Sequence, residues 1–332
     1  MMRAIAIDGF GGPEVLRLTD LPRPAPGPGE VLVRVAYAGV NPADWKAREG
    51  KLARYFDYRF PFVPGFDLSG TVVEVGRGVE GLTPGERVFG MSRQGQGENG
   101  AYAEYCLAWP AMLAPVPPGM SLAEAAGLPT AGATAYGGLV DAGGLKAGQT
   151  VLVNGGAGGV GSLAIQIARA AGARAAVTCS ARNADYVRSL GAERAIDYAS
   201  EEVVAAARDW AEGGVDLVLD AVGLGTLLAY ATDLVKPGGA FVEIETLISH
   251  ASETDVAAAA ARGVRILSNM VAVTRQPEHL AGLAGLCVQG RIKPAPVEVL
   301  PLANAAEAHR RVEDGHVRGK IVLRVDDAEE RS

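Results

Sequence analysis

The stretch "VLVNGGAGGVGSLAIQIARAAGA", starting at Val151, carries six glycines. Glycine loses more backbone freedom on folding than any other residue, so this density marks a place that needs bare backbone. Gly156, Gly158 and Gly161 are spaced G-x-G-x-x-G. In that pattern the first glycine permits a tight turn and the second lets backbone approach a pyrophosphate. The third lets the following helix pack closely on the preceding strand. The phosphates then lie at the helix N-terminus, over the free N–H groups of Gly159 and Val160. Taken alone, the pattern fits a merely tight structural turn as well. Its context favours a dinucleotide site: "TVLVN" before it reads as a buried strand, and Val160, Leu163, Ala164, Ile167, Ala168 and Ala171 after it recur at helical spacing.

The end of the next strand selects the dinucleotide. An NAD site places Asp or Glu there for the ribose 2′-hydroxyl. This chain has "TCSARNADY": the strand ends at Cys179 and Ser180, Arg182 follows, and no carboxylate appears before Asp185. A guanidinium and a hydroxyl hold a 2′-phosphate that a carboxylate would repel. Tyr198, closing "AIDY", offers a further hydroxyl. The expected coenzyme is therefore NADPH. The plainer reading of Arg182 is a solvated residue at a helix start.

These residues must be held by two kinds of structure. The first 120 residues alternate in short runs ("EVLVRVAYAGV", "GTVVEVG", "ERVFG") broken by Pro and Gly clusters such as "PRPAPGPGE", which predicts antiparallel or barrel-like β structure. Farther on, apolar strands alternate with Ala-rich helical patterns ("TVLVN", "AAVTC", "RAIDY", "VDLVLDAVG", "GAFVEIE", "VRILSN"), which predicts βαβ units and a parallel sheet. The expected division is an α/β chain with a β domain over residues 1–122, completed by 268–332, and a dinucleotide-binding domain over 123–267.

Composition narrows the function. At 332 residues with 48% hydrophobic and 21% charged residues, the chain has the make-up of a globular protein long enough for two domains. A formal charge of −7 without a Lys/Arg cluster argues against a nucleic-acid partner. No apolar run reaches the roughly 18 residues of a membrane helix. The opening "MMRAIAIDGFGG" breaks into glycines too early for a secretory signal, so a cytoplasmic setting is expected. Cys106, Cys179 and Cys287 are far apart and form neither a disulfide framework nor a CxxC pair. His250, His279, His309 and His316 are scattered without ligand spacing and read as surface or structural residues.

Several segments together resemble the medium-chain dehydrogenase/reductase superfamily, in its zinc-free quinone oxidoreductase branch. They are "AGVNPADWKAREG", "FPFVPGFDLSGTVVEVG", "GAYAEY", "AAGLPTAGATAYGGL", the glycine loop and "GHVRGKIVL", and they span essentially the whole chain. The resemblance implies a GroES-like β domain beside a Rossmann domain, an active site in the cleft between them, and a homodimer through the Rossmann sheet edge. Zinc-dependent relatives carry Cys, His-Glu and Cys or Asp where this chain has Asn41, Phe66-Asp67 and Thr130. Neither Asn nor Phe is a useful zinc ligand.

The resemblance also implies site residues. Asn41 faces the nicotinamide ribose and substrate, and Asp44 orients the loop. Lys46 binds ribose hydroxyls or donates to a substrate carbonyl, unless it is a solvated lysine. Arg48 reads as a structural ion-pair partner. Tyr55, Phe56 and Tyr58 offer an aromatic wall with Tyr55 as a proton donor, or else simple packing. Thr134 and Gly223 border the nicotinamide, and Arg318, Gly319 and Lys320 close over the coenzyme. Asn183 stands where the family's basic 2′-phosphate residue is often found. Without a metal, hydride transfer relies on positioning and hydrogen-bond donors. An acceptor that develops an enolate suits this, so the expected activity is reduction of quinones or α,β-unsaturated carbonyls, a small-molecule substrate class. The rivals are an enoyl-thioester reductase of a biosynthetic pathway and a low-turnover NADPH-binding regulatory protein.

Overall fold

A computed structural model describes residues 1–93, 100–223, 225–244, 251–269 and 275–326; His250 lies outside the described residues. In chain order the strands are β1 (Met2–Ala6), β2 (Arg17–Leu21), β3 (Val31–Gly39), β4 (Asp67–Val75), β5 (Arg87–Met91), β6 (Tyr105–Ala108), β7 (Leu113–Pro115) and β8 (Thr150–Asn154). They continue with β9 (Arg174–Cys179), β10 (Arg194–Asp197), β11 (Val215–Asp220), β12 (Val235–Glu243), β13 (Arg265–Ser268), β14 (Val297–Pro301) and β15 (Lys320–Arg324). The chain forms two compact units, residues 1–131 with 294–332, and residues 132–293.

The first unit is built on a mostly antiparallel sheet in the order β14-β15-β3-β4-β5-β7, with β6 also pairing with β3. Val31, Val33 and Val35 of β3 join Leu68, Val72, Tyr102, Ile321 and Leu323 in its core. Two chain reversals matter for chemistry. After β3 the chain enters the helix Pro42–Arg48, which Asn41 caps with Pro42 at the first helical position. The C-terminal segment returns as β15, pairing antiparallel with β3 so that Val322 faces Gly39.

The second unit is a parallel sheet in the order β10-β9-β8-β11-β12-β13. The order reverses between β8 and β11, the switch point at which open α/β sheets bind ligands outside the strand carboxyl ends. Registers across that edge align polar residues. Asn154 pairs with Asp220, Asp220 with Glu243, and Glu243 with Ser268.

The expected return of the chain at 268 is displaced. The helix Gln276–Val288 belongs to the second unit, and the chain leaves it only at Pro294. The reason is side-chain packing that texture does not show. Leu283 lies where a side chain at Gly132 would sit, and Tyr136 covers Gly282. Gln166 then ties the end of the segment down, donating to the Lys293 carbonyl at 3.0 Å and accepting from its N–H at 2.9 Å.

Candidate active site

The glycine loop joins β8 to the helix Gly159–Ala170, whose N-cap is Gly158. Gly158 brings no capping side chain, so the first-turn N–H groups of Gly159, Val160 and Gly161 face outward without intrahelical acceptors. A Cβ on Gly158 would meet only the Gly155 carbonyl, at 3.6 Å, and otherwise open space. A Cβ on Gly161 would collide with that same carbonyl, and one on Gly156 would come within 2.7 Å of the Val177 side chain. The close-packing role assigned to the third glycine is thus visible. The tight turn, however, falls on Gly155, whose φ is 81°, and not on Gly156. This bare loop and helix N-terminus at the switch point fit a dinucleotide pyrophosphate.

Beyond β9, Ser180 opens the short turn Ala181–Asn183 and accepts from Asn183 Nδ2 at 3.2 Å. Arg182 is exposed. Cys179 and Asp197 are in register on β9 and β10, so Ser180 and Tyr198 follow neighbouring strand ends, and Tyr198 is 56% exposed. Asp197, at the end of β10, is engaged in its own turn, accepting from Ala199 N–H at 3.2 Å and Ser200 Oγ at 2.8 Å. Gly223 adopts φ 73° and donates its N–H to Asp220. Thr134 is half-buried, and its carbonyl accepts from Asn269 Nδ2 at 2.8 Å.

In the first unit, the loop after β3 sits over a buried charged cluster that the sequence reading only partly anticipated. Asn41 is its hub. Its N–H donates to Asp44 Oδ2 at 2.7 Å, its Nδ2 donates to Asp67 Oδ2 at 2.9 Å, and its Oδ1 accepts from Lys320 Nζ at 2.5 Å. Lys320 also donates to the Val40 carbonyl at 2.8 Å. Asp67 Oδ1 accepts from both Thr130 N–H, at 3.0 Å, and Thr130 Oγ1, at 2.5 Å. Asp44 Oδ1 accepts from Phe66 N–H at 2.9 Å. Burial, reinforced by the charge of Asp67, pushes the Asp44 carboxyl up to about 7. Burial likewise raises Asp67, and it lowers Lys320 against the pull of the two carboxylates.

A second chain of groups anchors the far end of the same helix, at Arg48. Arg48 has no accepting atom, so at 3.2 Å it donates to His309 Nδ1, leaving the imidazole proton on Nε2 to meet Tyr102 Oη at 3.1 Å. Burial and then Arg48 push His309 down to about 3, so the ring is neutral. Arg48 also donates to the Gly11 carbonyl at 2.9 Å and pairs with Glu313 at 2.6 Å, which is the structural ion-pair role expected for it.

Two expectations need correction. Lys320 does not reach toward a coenzyme phosphate; it is buried and its ammonium is engaged by Val40 and Asn41. Asn41, 2% exposed, uses both ends of its amide inside the protein, so it positions the loop instead of presenting its side chain. Arg318, two residues before Lys320, is exposed. Lys46 is half-buried, with its Nζ 5.7 Å from the Trp45 ring centroid. Tyr55 is 42% exposed and carries the Arg54 guanidinium 4.6 Å above its ring. Tyr58 belongs to an aromatic cluster, 4.8 Å from Phe62 and 5.6 Å from Phe10, and burial followed by Asp44 pushes its phenol up to about 12.

Sequence reasoning missed Tyr102 and His309 as supports of the Asp44 helix, and it missed Asn154, Thr178 and Asp220 entirely. A carboxylate within an apolar strand run, as in "VDLVLD", was the available signal, because a buried charge requires partners. The zinc question is answered by donor chemistry. At Asn41, Phe66-Asp67 and Thr130 the one carboxylate is already held by three hydrogen-bond donors, and the cation beside it is an ammonium. That set does not fit zinc.

Two family models match the chain: "Alcohol dehydrogenase GroES-like domain" over residues 27–118 and "Zinc-binding dehydrogenase" over residues 190–323, a span that contains none of Asn41, Phe66, Asp67 and Thr130. The chain is 33% identical to the chloroplastic quinone-oxidoreductase QR1 of Triphysaria versicolor, over 97% of this chain and 98% of that one. It is 34% identical to the chloroplastic NADPH-dependent alkenal/one oxidoreductase of Arabidopsis thaliana, over 97% of this chain and 79% of that one. The solved quinone oxidoreductase of Coxiella burnetii superposes with a TM-score of 0.83 at 33% identity, covering 98% of this chain and 99% of the other. With the two-unit fold, the glycine cradle and these full-length matches together, the chain belongs to the medium-chain dehydrogenase/reductase superfamily, in its quinone oxidoreductase-like branch of nicotinamide-dependent oxidoreductases.

Proposed function

We propose that the protein is an NADPH-dependent, zinc-independent reductase of quinones or α,β-unsaturated carbonyl compounds. The observation that carries this reading is the coenzyme cradle. A bare helix N-terminus at the switch point is followed, on the adjacent strand end, by Ser180 and Arg182, with no carboxylate in the sequence between them and Asp185. The first-turn N–H groups of Gly159, Val160 and Gly161 hold the pyrophosphate, with Gly158 keeping the approach clear and Gly156 packing against Val177. Ser180, Arg182 and Tyr198 take the 2′-phosphate, while Thr134 and Gly223 border the nicotinamide half. NADPH, when bound, supplies the hydride.

In the first unit, Lys46 and Tyr55 are the donors assigned to the substrate oxygen, and Arg318 is assigned to the coenzyme. Asn41 and Lys320 hold the Asn41–Asp44 turn from which the helix carrying Lys46 starts, so their part is positional. A preorganised donor to a developing enolate is worth about 2–4 kcal/mol. The named relatives act on quinones and on alkenals or enones, which agrees with this assignment. A cytoplasmic setting and a homodimer through an edge of the second unit's sheet belong to the same reading.

The decisive experiment follows NADPH absorbance against a panel of quinones, enones and enals. Oxidation that persists with a chelator present supports the reading. Inertness toward the whole panel removes it.

A further inference from the structure

Beneath the coenzyme cradle runs a chain of side chains whose donor directions admit a single arrangement. Gly155 N–H donates to Thr178 Oγ1 at 2.8 Å. The Thr178 hydroxyl donates in turn to Asn154 Oδ1, at 2.6 Å. That turns Asn154 Nδ2 toward Asp220 Oδ1, at 2.8 Å, and Thr226 Oγ1, at 3.1 Å. Asp220 Oδ1 also accepts the N–H groups of Val222, at 3.2 Å, and Gly223, at 3.1 Å. Asp220 sets the direction: its carboxylate oxygen accepts from backbone N–H groups, which only donate, so it takes the Nδ2 end of Asn154 and leaves Oδ1 to accept from Thr178. Thr178, Asn154 and Asp220 are 2%, 7% and 1% exposed, so water is not at hand to replace a lost partner.

The chain joins two loops. One is the glycine loop after β8, and the other is the turn Ala221–Gly223 after β11. These strands flank the switch point. The loops also touch: a Cβ on Gly155 would lie 2.9 Å from Val222 Cγ2, and Ala221 N–H donates to the Asn154 carbonyl at 3.1 Å. A dinucleotide crossing the switch point lies over both loops, so the spacing between them fixes the track on which it rests.

We propose that Asn154 and Asp220 are positioning residues for the coenzyme: their side-chain hydrogen bond braces the glycine loop against the 221–223 turn and so sets coenzyme affinity. The brace acts through backbone N–H groups and rests on the reading that NADPH occupies the glycine loop.

The test uses the purified full-length chain. NADPH is titrated by calorimetry, thermal unfolding is followed by circular dichroism, and turnover is measured at saturating NADPH. Asn154→Ala is expected to raise the Kd for NADPH roughly tenfold, as a broken buried hydrogen bond implies, with turnover at saturation kept. Asn154→Asp sets a second carboxylate against Asp220 and weakens binding further, by roughly a hundredfold. Asp220→Asn keeps an oxygen that accepts from Asn154 and from the two backbone N–H groups, and it holds wild-type affinity to within about threefold, whereas Asp220→Ala loses roughly tenfold.

Affinity kept in Asp220→Asn and lost in Asp220→Ala establishes the brace, including the case in which Asn154→Ala fails to fold. Equal NADPH affinities in Asp220→Asn and Asp220→Ala overturn it. So does an Asn154→Ala protein that melts earlier yet binds NADPH as the wild type does. If the wild type itself binds no NADPH, the coenzyme reading falls and the brace falls with it.

Discussion

The turn after β3 and the loop after β8 both rest on buried carboxylates that accept backbone N–H groups, but the supports differ in kind. Beneath the first lie Asp44, Asp67 and Lys320, three ionisable groups linked through Asn41. Beneath the second lie a hydroxyl and an amide that link Gly155 to Asp220, while steric contact at Gly161 holds the helix against the loop. The ionic support can change its charge with pH. The steric one cannot, and it tolerates almost no added volume. A chemistry-bearing loop can therefore be held either by charge or by shape, and the two should fail differently.

The largest break is expected at Lys320. Lys320→Met leaves buried Asp67 and Asn41 Oδ1 without their cation and should cost about 4 kcal/mol of stability in urea unfolding. Adding Asp67→Asn should return part of it; an unchanged urea midpoint in the single variant would show that charge does not hold this turn. Next is Gly161→Ala, which forces a methyl into the Gly155 carbonyl. A strain of about 3 kcal/mol corresponds to roughly a hundredfold weaker NADPH binding in calorimetry, and wild-type affinity there would refute the steric support.

Asp44 sharpens the comparison through pH. Its folded value of about 7 lies above the unfolded 3.8, so the folded state holds the proton more tightly. That contribution to stability is complete below the unfolded value and is lost as pH rises through about 7. Asp44→Asn has no proton to lose, so its stability relative to wild type should improve, on the order of 2 kcal/mol, between about pH 4 and 8. Parallel pH profiles for the two proteins would contradict this. The smallest expected effect is specific to the coenzyme. Arg182→Ala should weaken NADPH about tenfold while leaving NADH nearly unchanged, and equal loss for both coenzymes would remove the 2′-phosphate role.

The legible parts of this chain are those with a strong local signal. The βαβ rhythm, the six parallel strands and the glycine loop follow from period, run length and spacing, which neighbouring residues dictate without distant partners. The alternating runs of the first 120 residues likewise read correctly as β structure. Illegible were the partners of polar residues within those runs. Asn41, in "GVNPADW", sits just before a helix and invites a reading as an exposed site residue. Only the arrival of Asp67 from β4 and Lys320 from β15 turns its amide inward. The boundary at 294 was hidden for the same reason, since Gly132 and Leu283 meet across some 150 positions of sequence.

The sequence by itself determined which strands are buried and that a glycine-rich turn into a helix follows β8. These follow from backbone freedom and hydrophobic period, which act over a few residues. Tertiary structure alone decided which polar side chains face a ligand and which face one another. A lone Asn, Lys or Asp costs free energy when buried without a partner, and the partner's distance along the chain leaves no local trace. Lys320 under the turn and Asp220 under the cradle acquired their places only when strands distant in sequence were brought into register.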